Sequence, residues 1–434
     1  MDSIRLLLCL FLLAPVEARA QDLTAIRAGR LVDVERGEVR ANQVILIRGD
    51  RIEAVQPGSQ PIPRGARVID LSGATVLPGL IDAHTHLADP IQGASSADPL
   101  TTSAAQNAFT GARQARATLL AGFTAVRDVG TYRAYVDAAL RDAINDGTVP
   151  GPRMKVAAAY ITVASGGGEV TGLAPDVIPP PDFRRGVANT AAEVRQRVRE
   201  LLNGGADFIK IIATGAVLAP GTLPGTPEYT EEELRAAVLE AGNYGTFVAA
   251  HAHGAEGIKR AVRAGARSIE HGSLADDEAL DLMRQQGTWL VADIFNGDYI
   301  DSAGARDGWS AEILRKNRET TETQRTAFRK AVELGVRIAY GTDAGVFPHG
   351  LNAAQLPYMV RYGMTPMQAI QSATIEAARM MDWDRELGSL APGKLADIVA
   401  VRGDALADLR SFMTPEFVMK GGEVVLQGGK PLLR

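Results

Sequence analysis

The sequence predicts an α/β protein: a TIM-type (β/α)8 barrel joined to a small β-sandwich domain built from both chain ends. Two observations predict it. The middle of the chain alternates apolar strands with amphipathic helices, and both ends carry short strands separated by turn signals. An open doubly wound sheet is the alternative for the middle. The predicted division is a signal peptide at 1–20, a sandwich from 21–78 plus 385–434, and a barrel at 79–384.

The barrel prediction depends on eight apolar segments of strand length. Helical patterns such as 231–242 and 255–264 separate successive segments, as a parallel barrel requires. The eight predicted strands are 80–86, 123–129, 154–162, 208–214, 247–253, 268–271, 289–295 and 337–342.

The two chain ends have a different texture. Near the start of the chain, strand patterns occupy 25–34, 44–55 (around a turn at 48–50) and 67–71. Near the end they occupy 396–401 and 416–426, where Gly421 and Gly422 indicate a hairpin turn. Neither half has enough strands to bury a face alone. We therefore expect the two halves to pair.

The first twenty residues have the pattern of a secretory signal. Arg5 precedes an apolar run at 6–14, and Ala18-Arg19-Ala20 is a small-residue cleavage site. Cleavage after Ala20 predicts a periplasmic or secreted protein with no membrane association, and an uncleaved anchor is the alternative. The single cysteine, Cys9, lies in this segment, so the mature chain has no disulfide. A net charge of -5 gives no indication of a nucleic-acid partner.

Five of the six histidines fall at the ends of predicted barrel strands, where barrels place their reactive groups. His84 and His86 are two residues apart on one strand, so both side chains point to the same face and can reach one metal ion. The others are His251, His253 and His271. The ordinary alternative is a set of core or surface histidines, and clustering at one edge favours a metal site.

Two further residues complete the predicted constellation. Lys210 lies inside the apolar strand 208–212, where burial and nearby cations favour the neutral amine, which can take up carbon dioxide and become a bridging carbamate. A lysine that reaches solvent at a strand end is the alternative. Asp343 follows the eighth strand and can bind a metal and accept a proton, or cap the next helix.

The set His84, His86, Lys210, His251, His271 and Asp343 resembles the binuclear metal pattern of the amidohydrolase superfamily. The strings Val76-Leu77-Pro78-Gly79 and 388–397 resemble the superfamily's flanking segments. Within it, His251-Ala252-His253-Gly254 and Ile269-Glu270-His271-Gly272 are similar to the branch of imidazolonepropionase-like proteins, Xaa-Pro dipeptidases and ochratoxinase.

The resemblance implies a role for each of these residues. His84, His86 and Asp343 would bind a buried metal, carboxylated Lys210 would bridge, and His251 with His271 would bind a more exposed metal. Two divalent ions are implied; zinc is the default, and Mn, Fe, Co and Ni suit the same ligands.

The chain departs from this branch at one position. Members often carry Gly-His-Gly after the third strand, whereas this chain has Gly167 in place of that histidine. Polarisation of the scissile carbonyl then needs another group, for which the candidates are His253, Tyr160 or the exposed metal. His253 would otherwise pack at the barrel rim.

The leading functional hypothesis is hydrolysis of an amide or peptide bond in a small carboxylate-bearing substrate, of dipeptidase or carboxypeptidase type. Asp343 would take a proton from the attacking water and pass it to the leaving nitrogen. Tyr160, Phe295 and Phe347 indicate an apolar pocket beneath a lid at 170–187, and packing at the barrel rim is the alternative for these aromatics. Together with the resemblance to the ochratoxinase branch, this pocket favours aryl-acyl amino acids such as ochratoxin A, beside ordinary dipeptides. Cyclic amide, lactone or phosphotriester hydrolysis and non-catalytic metal or ligand binding are the alternatives. A homo-oligomer is expected.

Overall fold

The computed structural model describes residues 23–89 and 97–433, so the predicted signal peptide lies outside the described residues. Within them the chain is a mixed α/β protein. The strands are β1 Leu23–Asp33, β2 Glu38–Arg48, β3 Arg51–Pro57, β4 Arg67–Pro78, β5 Leu80–Thr85, β6 Phe123–Asp128, β7 Arg153–Val156, β8 Tyr160–Ile161, β9 Ile209–Ile212, β10 Val248–Gly254, β11 Ser268–Leu274, β12 Trp289–Val291, β13 Ile398–Arg402, β14 Phe417–Lys420, β15 Glu423–Gln427 and β16 Lys430–Pro431.

Helices separate most of the central strands. They are α1 Ala104–Leu120, α2 Val136–Asn145, α3 Ala191–Asn203, α4 Glu231–Asn243, α5 Ala255–Ala264, α6 Asp277–Gln286, α7 Asn296–Tyr299, α8 Ala311–Leu334, α9 Gln355–Arg361, α10 Pro366–Gln371 and α11 Ala377–Met380. Among the described residues, no helix combines the length and the apolar character needed to cross a bilayer.

The central strands form two parallel sheets, β5-β6-β7 and β12-β11-β10-β9-β8. The predicted third strand is split between them, because Ala158 adopts a left-handed φ of 65° between β7 and β8. The predicted eighth strand, 337–342, forms a single bridge instead of a regular strand, in which Ile338 pairs with Leu290 of β12. Two residues beyond it, Ala344 pairs with Thr85 of β5, so the chain at 338–344 contacts both sheets.

Strands from both chain ends form one eight-stranded sheet in the order β16-β15-β14-β13-β4-β1-β2-β3. The two halves meet where β13 pairs antiparallel with β4, with Ile398 opposite Pro78. Ile26, Ile45 and Phe417 pack in one apolar cluster, so both halves contribute to the same core. The predicted pairing of the ends is therefore present within a single sheet, and the face-to-face packing of a sandwich stays a prediction.

Helix α8 is the longest helix and forms one side of the functional cavity. The Ser310 side chain accepts a hydrogen bond from the Ile313 N–H and caps its first turn, and Gly335 ends it in a left-handed conformation with φ 73°. A polar row at helical spacing lies on its buried side: Asn317, Thr320 and Gln324. Because these side chains are buried and polar, they face the cavity.

Candidate active site

A cavity opens at the carboxyl ends of the central parallel strands, and the empty space in it and at its open mouth is about 980 Å³. All eight site residues predicted from the sequence line it, and they are Tyr160, Lys210, His84, His86, His251, His253, His271 and Asp343. The structure thus brings together residues that span 260 positions of the sequence.

The first cluster consists of His84 and His86, at the end of β5, and Asp343, which follows residue 342. The Asp343 Oδ1 atom lies 3.3 Å from His84 Nε2 and 3.2 Å from His86 Nε2. Burial raises the pKa of the Asp343 carboxyl, but the charges and hydrogen bonds of the two histidines outweigh it and hold that pKa well below its usual range. An ionised carboxylate and two ring nitrogens therefore converge on one point.

His84 is oriented from behind by a fully buried ion pair. Its Nδ1 atom lies 2.9 Å from Glu270 Oε2, and Arg127 donates to both Glu270 oxygens at 2.7 and 2.8 Å. The Arg127 Nε–H also donates to the Ala83 carbonyl at 2.6 Å. With Nδ1 bound to a carboxylate, Nε2 of His84 is directed into the cluster, as in metal-ligating histidines.

His86 is oriented by different partners. Its Nδ1 atom lies 3.0 Å from the Gly130 carbonyl and 3.1 Å from the Tyr160 hydroxyl, which donates to Asp89 at 2.7 Å. Burial opposes the charged imidazolium, but Asp343 raises the pKa of His86 to about 9. Tyr160 therefore lines the cavity with its proton already directed to Asp89.

The second cluster contains the three remaining predicted histidines. The donor atoms of His251, His253 and His271 lie within 4.8 Å of one another. Burial, reinforced by the neighbouring His271, lowers the pKa of His253 to about 3, so its imidazole is neutral. His253 Nδ1 lies 2.8 Å from the Ser273 hydroxyl.

Asp293 supports this second cluster. Its Oδ1 atom lies 3.0 Å from His271 Nδ1 and accepts a hydrogen bond from Gln324 at 2.7 Å, and its Oδ2 atom accepts from Asn296 at 2.9 Å. Asp293 also falls within 4.8 Å of His271 and Asp343 donor atoms. Because both of its oxygens already accept hydrogen bonds, it fits an orienting role better than a ligand role.

Lys210 projects from β9 into the cavity and is 1% exposed. Burial lowers its pKa to about 8, against the opposing charge of Glu270. A neutral amine is accordingly accessible near neutral pH.

Two residues of the clusters have a left-handed backbone: His271 with φ 69° and Asp343 with φ 59°. Side chains other than glycine rarely adopt this conformation, and such strain concentrates at functional sites. Two of the seven non-glycine residues with this backbone in the described part of the chain therefore belong to the clusters.

The donor chemistry fits divalent metal ions. Three groups of donor atoms lie close enough to hold an ion: His84 with His86 and Asp343, His251 with His253 and His271, and His271 with Asp293 and Asp343. Imidazole and carboxylate donors suit zinc and other first-row metals. The backing hydrogen bonds on Nδ1 of His84, His86 and His271 fix the ring orientations that such ligands require.

Gly167 occupies the position where the related branch often carries histidine. Its N–H donates to the Glu228 carboxylate at 2.9 and 3.0 Å. A Cβ atom there would approach Ala216 N and Ile212 Cγ2 at 3.2 Å. The glycine thus lies where the cavity wall leaves little room for a side chain. Burial raises the pKa of its partner Glu228 to about 7.

Sequence reasoning missed the residues that orient the ligands. Glu270, Asp293 and Arg127 all lie within predicted strands, so a charged residue in an apolar run was the available signal. Phe295 and Phe347 were expected in the pocket. Instead they contact each other with ring centroids 5.2 Å apart and are absent from the described cavity lining.

The predicted lid packs beside the cavity. Val170 and Phe183 lie in one apolar cluster with Tyr132, Tyr160 and Ile212. Its end pairs with the third strand through a bridge between Val187 and Thr162. Closure of this segment over a substrate stays a prediction.

Known proteins resemble this chain in both sequence and fold. A 32% identity over 427 residues relates the chain to ochratoxinase of Aspergillus niger, covering 93% of this chain and 86% of that protein. Imidazolonepropionase of Cutibacterium acnes is 26% identical over 389 residues, or 85% of each chain. A solved Xaa-Pro dipeptidase with methionine in its active site matches with a TM-score of 0.87 and 39% identity, covering 93% of this chain and 99% of that one.

The fold and the site define a hydrolase that acts on amide bonds. The amidohydrolase family model matches residues 75–425, and the chain belongs to the amidohydrolase family. The match excludes most of the first β unit and includes every residue of the two histidine clusters.

Proposed function

We propose that this protein is a binuclear metal-dependent hydrolase of small, carboxylate-bearing amides, of dipeptidase or carboxypeptidase type. The observation that carries the proposal is the convergence of two histidine clusters, Asp343 and Lys210 in one cavity. Simple metal storage requires neither a buried lysine nor a strained aspartate.

In this proposal His84, His86 and Asp343 would hold one ion, and His251 with His271 would hold the other. Carboxylated Lys210 would be a ligand of both, and zinc is the expected metal. The short distances from Asp343 Oδ1 to both ring nitrogens support the first assignment. Divalent ions bound there supply Lewis acidity and lower the pKa of water.

The protein's own groups carry the proton transfers. Asp343 accepts a proton from the attacking water and donates it to the leaving nitrogen as the carbon–nitrogen bond breaks. We assign His253 the tautomer in which Nδ1 accepts from the Ser273 hydroxyl, 2.8 Å away, so that the Nε2–H donates to a substrate carbonyl or carboxylate. This assignment gives His253 the task that Gly167 cannot perform.

The proposed substrates are N-aryl-acyl amino acids, such as ochratoxin A, and ordinary dipeptides. Apolar lining from Ile212, Ile300 and Val346 supports a hydrophobic acyl group, and Tyr160 supplies an aromatic face. N-benzoyl-phenylalanine, ochratoxin A and Xaa-Pro dipeptides would be assayed with metal-loaded protein whose metal content has been measured. Hydrolysis of lactones or phosphotriesters with none of these amides would overturn the proposal.

We further propose that the eight central segments close into a barrel at 79–384 and that 21–78 with 385–434 form the small β domain. The bridges at Ile338 and Ala344 support closure. Export with removal of residues 1–20, and assembly of identical chains, complete the proposal. N-terminal sequencing of secreted protein should begin at Gln21, and light scattering gives the oligomer.

A further inference from the structure

Lys316 is a buried lysine that the proposed chemistry does not use. It lies on α8, is 1% exposed, and its Nζ atom donates to the carbonyl oxygens of Ala216 at 3.2 Å, Ala219 at 2.8 Å and Thr222 at 3.0 Å. Glu312, one helical turn earlier, lies 3.1 Å from the same Nζ atom. All three carbonyls belong to one loop, 216–222.

The same loop is fixed from two further directions. The Thr222 hydroxyl accepts from the Ala216 N–H at 3.0 Å and donates to the Ala219 carbonyl at 2.9 Å, and the Gly221 N–H donates to Glu312 at 2.9 Å. Leu218 packs on an apolar cluster that includes Ile300 and Val346. A loop held by this many buried bonds is a rigid wall rather than a moving lid.

This wall faces the substrate cavity. Residues 216–219 line the cavity, together with the Asn317, Thr320 and Thr321 side chains of α8. In this part of the described lining the side chains are apolar or neutral, and Lys316, whose ammonium binds the Ala216 and Ala219 carbonyls, is not among the lining residues. A charged substrate group placed here would lose its hydration without gaining an opposite charge.

We infer that Lys316 is a positioning residue that holds loop 216–222 as the uncharged wall of the acyl pocket, and so sets the enzyme's selectivity for uncharged, hydrophobic acyl groups. The inference rests on the proposed amide hydrolysis. Lys316 contacts no reacting group and acts only through the loop.

The test compares matched substrates. N-benzoyl-, N-acetyl- and N-succinyl-phenylalanine share one leaving amino acid and differ in the size and charge of the acyl group. In the wild type, kcat/KM should be at least 10-fold lower for the succinyl than for the acetyl substrate. In Lys316→Met the benzoyl-to-acetyl ratio of kcat/KM should fall at least 10-fold, mainly through KM. An equal loss on both substrates would overturn the inference.

Two substitutions of Thr222 keep the test valid if Lys316→Met does not fold. Thr222→Val removes the hydroxyl with little change of shape and should reproduce the Lys316→Met selectivity, whereas Thr222→Ser should retain wild-type selectivity. Lys330→Met removes an ammonium paired with Asp277 from the same helix and should leave the ratio within twofold of wild type. If Thr222→Val and Thr222→Ser have the same ratio, the inference is wrong.

A measurement independent of turnover separates this inference from the proposed function. Hydrogen exchange of the full chain should be slow at the hydrogen-bonded amides of Ala216, Gly221 and Thr222 in the wild type, and at least 10-fold faster there in Lys316→Met and Thr222→Val. If the wild type hydrolyses none of the amides, the proposed function fails, and slow exchange released by these variants still supports the positioning role. Rapid exchange in the wild type would refute it.

Discussion

At the scale of single residues, three of the four proposed ligand histidines depend on a group behind them that the sequence motif does not specify. Glu270 lies behind His84, Asp293 behind His271, and the Gly130 carbonyl behind His86. Such partners fix the ring orientation and the protonated nitrogen. The motif therefore contains only part of the site, and the remaining part is distributed over neighbouring strands.

The first residue prediction concerns the proposed proton acceptor. Asp343→Asn preserves the shape of the side chain and tolerates the left-handed backbone, but the amide cannot accept a proton. Turnover should fall at least about 100-fold, with little change in melting temperature. Steady-state kinetics and thermal unfolding measure both quantities. Near wild-type turnover would show that another base takes the proton.

A second prediction concerns the buried ion pair behind His84. Glu270→Gln leaves the fully buried Arg127 guanidinium without its counter-charge, and breaking such a pair costs about 3–5 kcal/mol of folding stability. Metal affinity should fall about 10- to 100-fold, because His84 loses its orienting carboxylate. Denaturant unfolding and metal titration are the measurements. Glu278→Gln, which removes an exposed carboxylate, is the control and should change neither.

The sequence predicted which residues converge at the cavity, because histidines at strand ends have few structural reasons to cluster. Their role as metal ligands stays a prediction. His84, His86 and Asp343 are in the expected group. The prediction that Phe295 and Phe347 line the pocket was wrong, since an aromatic residue near a strand end packs inside the protein as readily as it lines a pocket. Which of these two positions the side chain takes depends on how the surrounding backbone folds.

At the scale of elements, the helices and the regular strands were predictable from periodicity, and the irregular segments were not. The predicted helix at 255–264 is observed as Ala255–Ala264, because its apolar positions recur at helical spacing. The segment 337–342 reads as a strand but makes only a single bridge, and Ala158 divides the third strand. Both departures lie beside the cavity, where local geometry serves the site.

The loop around Gly167 gives a pH prediction. Burial raises the pKa of Glu228 from 4.5 to about 7 in the folded protein, while the Gly167 N–H opposes this shift. A folded-state pKa above the unfolded value contributes stability that is complete below pH 4.5 and is lost as the pH rises through 7. Relative to Glu228→Gln, the wild type should therefore lose up to about 3 kcal/mol between pH 4.5 and 8.

Denaturant unfolding of both proteins at several pH values measures this difference. Glu232→Gln, on the first turn of α4, controls for the loss of one carboxylate. Parallel pH profiles for the wild type and Glu228→Gln would contradict the assignment of a raised pKa to Glu228.

At the scale of the whole molecule, the site joins distant parts of the chain, so its metal ions should stabilise the entire fold. A ligand that binds only the folded state adds about 2.7 kcal/mol per site at 100 times its dissociation constant. We expect about two ions per chain by elemental analysis, and a lower melting temperature after chelation that zinc restores. A chelator-treated protein that is active, metal-free and equally stable would refute both metal sites.

The sheet made from both chain ends determines when the protein can finish folding. Strand β4 ends at residue 78, but its antiparallel neighbour β13 begins at residue 398. During synthesis β4 therefore presents an open edge until almost the whole chain has emerged, and such edges invite aggregation. A nascent chain stalled before residue 398 should leave residues 23–78 protease-sensitive. Because the sheet would close late, the chain would stay unfolded for longer, and an unfolded chain is the form that can pass through a translocation channel.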